Sequence, residues 1–326
     1  MARFDVLGIG NAIVDVVARV EDRFLSRHDM RKGGMALIDA AAAEALYAAM
    51  PAGIESSGGS AANTCAVAAG LGARVAYLGK VADDQLGGVF RHDIEAAGVA
   101  FPSDPLAGGA PTARCLILVT PDGQRTMNTY LGACTAFSAA DVDPVRVTEA
   151  EILYLEGYLF DPPAAQEAFR HAAAAAHAAG RRVALSLSDA FCVDRHRAAF
   201  RELVTRDIDI LFANETEITA LYETDRFEDA AEQARAEVAL AALTRGAEGS
   251  LVLRGAESLV IPAAAATVVD TTWAGDAYAA GFLAGLAAGR ALGACGRLGS
   301  AAAAAAITGM GARPAVDLRA LAAAAE

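Results

Sequence analysis

Beyond Asp141 the chain alternates short apolar runs with longer helical stretches, and few architectures accept that rhythm. The runs 152–155, 183–187, 208–212, 240–244 and 251–253 read as strands. The segments 164–179, 195–205, 216–222 and 229–237 read as helices. Strands that alternate with helices pair in parallel, because each crossover lays a helix back over one face of the sheet. The expected fold is therefore α/β, a doubly wound, mostly parallel sheet flanked by helices. Ligands in such folds lie at the carboxyl ends of the strands. The N-terminal part extends the pattern. It has a buried strand at 4–10, helices at 40–49, from Gly58 to about 69 and at 85–97, and a strand at 75–79.

Between these blocks the character changes. Residues 100–130 are rich in proline, glycine and threonine, and 114–120 and 125–131 flank the turn Pro121-Asp122-Gly123-Gln124. That is a β-hairpin signal. Two more extended patches occupy 11–20 and 35–38. The expectation is a core of 1–10, 40–99 and 132–326, with a small β-sheet lid built from 11–39 and 100–131.

Composition narrows the function. A chain of 326 residues buries a substantial core, and its 55% hydrophobic content is inflated by alanine. Asp276 and Arg290 interrupt the apolar run around Phe282, so no spanning helix is expected. Asp5 and Asp15 inside the N-terminal apolar run argue against a secretory signal. The five cysteines are scattered and odd in number, as suits reduced thiols in a cytoplasm. A net charge of −13 opposes nucleic-acid binding, yet a local cradle of backbone N–H groups still accepts a phosphate.

Such a cradle is expected at Val268-Val269-Asp270-Thr271-Thr272-Trp273-Ala274-Gly275-Asp276. The two valines read as the end of a buried strand, and 277–286 as a helix, so Ala274, Gly275 and Asp276 fall at a helix N-terminus. Unpaired N–H groups there suit an anion. A carboxylate at that place either satisfies the helix dipole or takes a proton from a nucleophile attacking the anion. Gly58-Gly59-Ser60-Ala61-Ala62-Asn63 opens another helix, where the glycines allow close approach and Asn63 offers an amide to a sugar hydroxyl. Asp15 stands in an apolar strand, either facing solvent or accepting hydrogen bonds from vicinal hydroxyls. Asn214 and Glu217 form a capping box or organise water around magnesium. The turn holding Thr244, Gly246 and Gly249 is a hairpin or the wall of a nucleotide pocket. Arg125, just past the Asp-Gly turn, is a surface residue or a lid arginine for phosphate oxygens. Gly8-Ile9-Gly10 lacks the third glycine of a dinucleotide fingerprint, and Gly79-Lys80 is followed by valine, so neither a Rossmann nor a P-loop site is expected.

Taken together, the motifs resemble the ribokinase-like, PfkB-type carbohydrate and nucleoside kinases. The glycine-rich segment at 58–63 with Gly79-Lys80-Val81-Ala82-Asp83-Asp84 resembles the N-terminal signature of that family, and 270–282 the C-terminal one. The resemblance implies transfer of the ATP γ-phosphate to a hydroxymethyl group, with Asp276 as base and Ala274, Gly275 and the Asp276 N–H as anion hole. It places Asn11, Asp15, Gly58, Gly59 and Asn63 on the acceptor and Asn214 on the nucleotide. Asn214 and Glu217 would hold Mg²⁺ through water, and Asp270 and Thr272 match the region of a potassium ion. The segment 10–15, the box at Asn214 and Arg125 are most similar to adenosine kinases. Met35, Leu37, Cys115, Met127, Leu131, Tyr158 and Leu159 are available as walls for a base. A sugar kinase acting on ribose, fructose or a keto-deoxy sugar acid is the alternative. Trp273 replaces a family glycine, which raises a further alternative, a catalytically silent nucleoside or sugar sensor. Monomer and homodimer are both compatible with the family.

Overall fold

The computed structural model describes residues 2–309, 311, 313–314 and 316–325. Among the described residues, fourteen strands fall into two sheets. In chain order they are β1 (Phe4–Ile9), β2 (Ile13–Arg19), β3 (Met35–Leu37), β4 (Ile54–Gly58), β5 (Val75–Leu78), β6 (Val99–Ala100), β7 (Ala113–Val119), β8 (Arg125–Tyr130), β9 (Ala150–Glu156), β10 (Arg182–Ser186), β11 (Ile210–Asn214), β12 (Leu240–Thr244), β13 (Ser250–Arg254) and β14 (Glu257–Ile261).

The large sheet has nine strands in the order β14-β13-β12-β11-β10-β9-β1-β5-β6. From β12 to β6 every pairing is parallel, and β13 and β14 close the edge as antiparallel strands. Both faces are buried. One carries the helices Ser60–Gly70, Ala274–Ala287 and Leu292–Ile307, and the other carries Pro163–Ala178 and Ala190–Asp207. The alanine and glycine content of the first set has a packing cause. A Cβ on Gly281 would lie 2.6 Å from the Leu298 carbonyl, so the two helices touch backbone to backbone.

The small sheet runs β3-β8-β7-β2-β4. The hairpin β7–β8 forms as its Asp-Gly turn implies. The fifth strand differs from expectation. Ile54–Gly58, which lies in the 40–99 segment assigned to the core, pairs with β2 as an edge of this sheet. Its sequence, Ile-Glu-Ser-Ser-Gly, is polar enough to lack a strand signal, and pairing with β2 supplies the order instead. The helix Asp22–Arg27 and strand β14 also lay outside the expected elements. The five cysteines are buried and unpaired. Among the described residues no helix is long and apolar enough to cross a membrane.

Candidate active site

The carboxyl ends of the central strands and the facing side of the small sheet enclose a cavity of about 800 Å³. Sheet register assembles its floor. Ile9 and Leu155 are partners in the parallel pair β1–β9, which sets Asn11 against Glu156. Glu156 accepts hydrogen bonds from the Asn11 backbone N–H (3.1 Å), Asn11 Nδ2 (2.8 Å) and the Ala61 N–H (2.7 Å). A Cβ on Gly10 would fall 2.4 Å from Glu156 Oε2, so this glycine makes room for a carboxylate and has no dinucleotide role. Burial pushes the Glu156 pKa up to about 7 against the pull of its three N–H donors.

Asp15 faces the cavity from β2 and is buried. Gly58 lies beside it, where a Cβ would sit 2.4 Å from the carboxylate. Gly58 itself is not on the cavity wall; it acts by giving Asp15 space. Gly59 has φ +99°, and a Cβ there would meet the Asn11 carbonyl at 2.0 Å. Burial raises the Asp15 pKa to about 7, while the charges of Arg125 and Arg313 oppose the rise.

Asp276 lies in the first turn of Ala274–Ala287 and joins the same cluster. Its Oδ1 accepts from Ser60 Oγ at 2.6 Å and its Oδ2 from Asn63 Nδ2 at 3.4 Å. Thr64 Oγ1 donates to the Asp276 carbonyl at 3.2 Å, tying the two helix starts together. Burial lifts the Asp276 pKa to about 7; the Ser60 bond lowers it, the Glu156 charge raises it, and Asn63 and Asp15 act more weakly in the same two senses. Ser60 and Glu156 were not picked out from the sequence. Ser60 lies inside the glycine-rich segment 58–63, and Glu156 is a carboxylate closing an apolar strand at the ligand-binding edge. Each therefore carried a usable signal.

The helix start expected to form an anion cradle has fewer open amides than expected. The Ala274 N–H bonds to the Thr271 carbonyl at 3.1 Å, which leaves Gly275 and Asp276 as the first-turn amides without a partner inside the helix. Space around Gly275 is open, with nothing within 4 Å of a Cβ built there. The segment leading in is also different. Val268 and Val269 belong to no strand and are exposed, because they leave the sheet after β14 and cross its end as a loop. Trp273 has φ −106°, an ordinary value for a residue with a side chain, so the turn is unstrained. Its indole is buried against Cys115, Ile117 and Val119 of the small sheet.

Arg125 is neither a surface arginine nor part of the cavity wall. Its guanidinium stacks over Trp273 at 4.1 Å and stands 2.8 Å from Asp270 Oδ2. The other Asp270 oxygen accepts from Thr272 N–H (3.0 Å) and Oγ1 (2.6 Å). One Asp270 oxygen thus carries two hydrogen bonds and the other faces a guanidinium, so Asp270 does not fit a potassium ligand. Thr272 lines the cavity and Asp270 does not.

Asn214 and Glu217 form the capping box: Glu217 accepts from the Asn214 N–H (2.9 Å) and Nδ2 (2.6 Å), and Asn214 Oδ1 accepts from the Glu217 N–H (2.9 Å). Both line the cavity, and burial raises the Glu217 pKa to about 7. A nucleotide's Mg²⁺ keeps much of its water. An all-oxygen carboxylate with spare lone pairs fits an ion held that way. Thr244 and Gly246 reach the cavity. Gly249 does not; a Cβ there would strike the Ile261 carbonyl at 2.0 Å, so it serves the hairpin. Of the expected base walls, Leu159 is turned into the core, while Tyr158 lines the cavity.

A carboxylate beside open helix-start amides, facing hydroxyl-binding groups, is the equipment of phosphoryl transfer to an alcohol. The sequence pattern of the pfkB family carbohydrate kinases matches residues 35–318. The chain belongs to the pfkB family. It is a phosphotransferase with a hydroxyl group as acceptor. Within the pfkB family it is similar to the adenosine kinase from Sinorhizobium meliloti, with 52% identity, a TM-score of 0.92 and full coverage of both chains. A probable sugar kinase from Rhizobium etli CFN 42 is 48% identical, with a TM-score of 0.92 over 100% of this chain and 99% of that one. The ATP-dependent ribose-1-phosphate kinase of Halopiger xanaduensis is 32% identical over 71% of this chain and 73% of its own length.

Proposed function

We propose that the chain phosphorylates adenosine at its 5′-hydroxyl, with ATP as donor, giving AMP and ADP. The observation that carries this reading is the acceptor end of the cavity. Asp15, Asn11 and Asn63 offer acceptors and donors for vicinal hydroxyls. Beyond them the wall turns apolar, with Leu37, Cys115 and Met127 from the small sheet, Leu131 just past β8, and Tyr158 and Phe191 opposite. Phe191 is 76% exposed and Leu37 58% exposed, surface that a flat heterocycle would cover and a free sugar would not reach. The 52% identity to an adenosine kinase supports the same choice.

In this reading the acceptor oxygen forms a bond to the γ-phosphorus as the bond to the ADP oxygen breaks, and the hydroxyl proton passes to an Asp276 oxygen. Phosphoryl transfer has a loose transition state, so placement and charge neutralisation carry most of the catalysis. The Gly275 and Asp276 amides receive the equatorial oxygens. Asn214 and Glu217 would hold, through water, the magnesium that travels with the nucleotide, and that ion would supply further charge neutralisation. Thr244 and Gly246 border the nucleotide. The small sheet, closing on the acceptor, keeps water from taking the phosphoryl group.

The sugar-kinase reading draws on the 48% identity to a probable sugar kinase. Coupled ADP-release assays with adenosine, ribose, ribose 1-phosphate and fructose separate the two. Adenosine is expected to give the highest kcat/KM; turnover of a sugar with none of adenosine would discard the nucleoside assignment. The sensor reading loses its motive, since Trp273 causes no backbone strain. Trp273→Gly is expected to lower activity, and a silent wild type that gains turnover in this variant would restore the sensor.

A further inference from the structure

The geometry points to Arg125 as a built-in replacement for a monovalent cation beside the anion cradle. The inference deepens the kinase reading and rests on it for the location of the cradle. Asp270, six residues ahead of Asp276 in sequence, is the carboxylate at which a mobile cation would have to dock. Thr272 occupies one of its oxygens with two hydrogen bonds, and the Arg125 guanidinium stands 2.8 Å from the other. The neighbouring Ile307 carbonyl, a further candidate oxygen, already accepts from the Val269 N–H (2.7 Å) and the Asp270 N–H (3.2 Å). Asp270 Oδ2 has no hydrogen-bond partner among the described residues and is held by the ion pair alone, so a second positive charge docking on it would meet the guanidinium at short range.

The arginine is also held too firmly to be a casual surface pair. The side chains of Arg125 and Asp270 are 5% and 11% exposed. The guanidinium carbon lies over the Trp273 ring, whose indole is itself buried against the small sheet. That stack gives Trp273 a purpose: it is the platform that fixes the charge one residue before Ala274. Because Arg125 opens β8, the positive charge reaches the cradle on the lid, and a displaced lid would take the charge with it. Arg125 thus acts as a positioning and electrostatic residue on the cradle, through Asp270 and the Trp273 turn.

The experiment compares KCl, NaCl and tetramethylammonium chloride at equal ionic strength, reading the melting temperature of the unliganded protein and kcat with adenosine and MgATP. Wild type is expected to show the same melting temperature in all three salts and kcat values within about twofold. Arg125→Ala is expected to lose at least tenfold in kcat, and to regain part of it, with a higher melting temperature, in K⁺ alone. A saturable rise of wild-type kcat or melting temperature with K⁺ overturns the inference, as does an Arg125→Ala protein indifferent to K⁺. Arg125→Lys keeps the charge and is expected to remain K⁺-independent, so it stands in where the alanine variant does not fold. The melting arm needs no substrate: inactivity toward adenosine in every salt would defeat the acceptor assignment while leaving the cation question answered.

Discussion

The two ends of the cavity are built in opposite ways. At the end proposed for the nucleotide Asn214 and Glu217 satisfy each other across three residues, within one helix start. At the acceptor end Asn11, Asp15, Ser60, Glu156 and Asp276 arrive from distant parts of the chain, and Ser60 and Asp276 are separated by 216 positions. A local box is stable through its own geometry. A long-range cluster of buried carboxylates exists only because the surrounding fold enforces it, and the ionisation of Asp276 responds to Ser60, Glu156, Asn63 and Asp15. Damage at the acceptor end should therefore spread through the cluster, and damage at the nucleotide end should stay local.

Asp276→Asn tests that contrast most severely. The amide keeps the shape and can still meet Ser60, but it cannot accept a proton. A fall in kcat of about 10²–10⁴-fold is expected, the usual worth of a positioned base, with nucleotide affinity retained. An Asn variant near full speed would remove Asp276 from the proton transfer.

Glu156→Gln comes next. Three N–H donors converge on its two oxygens and no acceptor faces them. A glutamine must turn its NH₂ toward one of those donors, which costs about 1–3 kcal/mol. Thermal melts should show the loss, and the adenosine KM should rise because Asn11 loses its anchor. An unchanged melt together with an unchanged KM would mean that the cluster tolerates rearrangement. At the other end, Asn214→Ala removes a helix cap and should cost about 1 kcal/mol. Its effect on kinetics should be confined to the KM for MgATP; a matching rise in the adenosine KM would break the proposed independence of the two ends.

The same contrast governs what the sequence disclosed. The parallel sheet, the hairpin and the capping box were legible, because strand length, helix alternation, an Asp-Gly turn and an Asn-x-x-Glu spacing are local signals. β4 was not, since a polar edge strand is ordered by its neighbour β2 and not by its own composition. Glu156 is visible in the sequence only as a carboxylate closing an apolar strand, because its role depends on β1 and β9 lying side by side in register. Arg125 was noticed for its place after the turn. Its partners Trp273 and Asp270 lie more than a hundred residues away, and the ion pair between the small sheet and the loop ahead of Ala274 had no trace in either segment alone.

Ser60→Ala is the mildest change and the finest probe of the coupled cluster. The Ser60 hydroxyl donates to Asp276 Oδ1, which favours the ionised carboxylate and lowers a pKa that burial has raised to about 7. A base must be ionised to act, so kcat/KM of the wild type should climb with pH and level off above an apparent pKa near 7. Removing the donor leaves the carboxylate less stabilised, which moves that limb toward higher pH. The plateau well above pH 8 should stay close to wild type, because the proton acceptor itself is intact, and Ser60→Thr should restore the original limb. A limb that stays in place in the alanine variant would assign the titration to another member of the cluster, with Glu156 and Asp15 as the groups to examine, since both are also raised to about 7. A shift toward lower pH would contradict the hydrogen bond as drawn and would mean that Ser60 acts on Asp276 by excluding water instead of by donating to it.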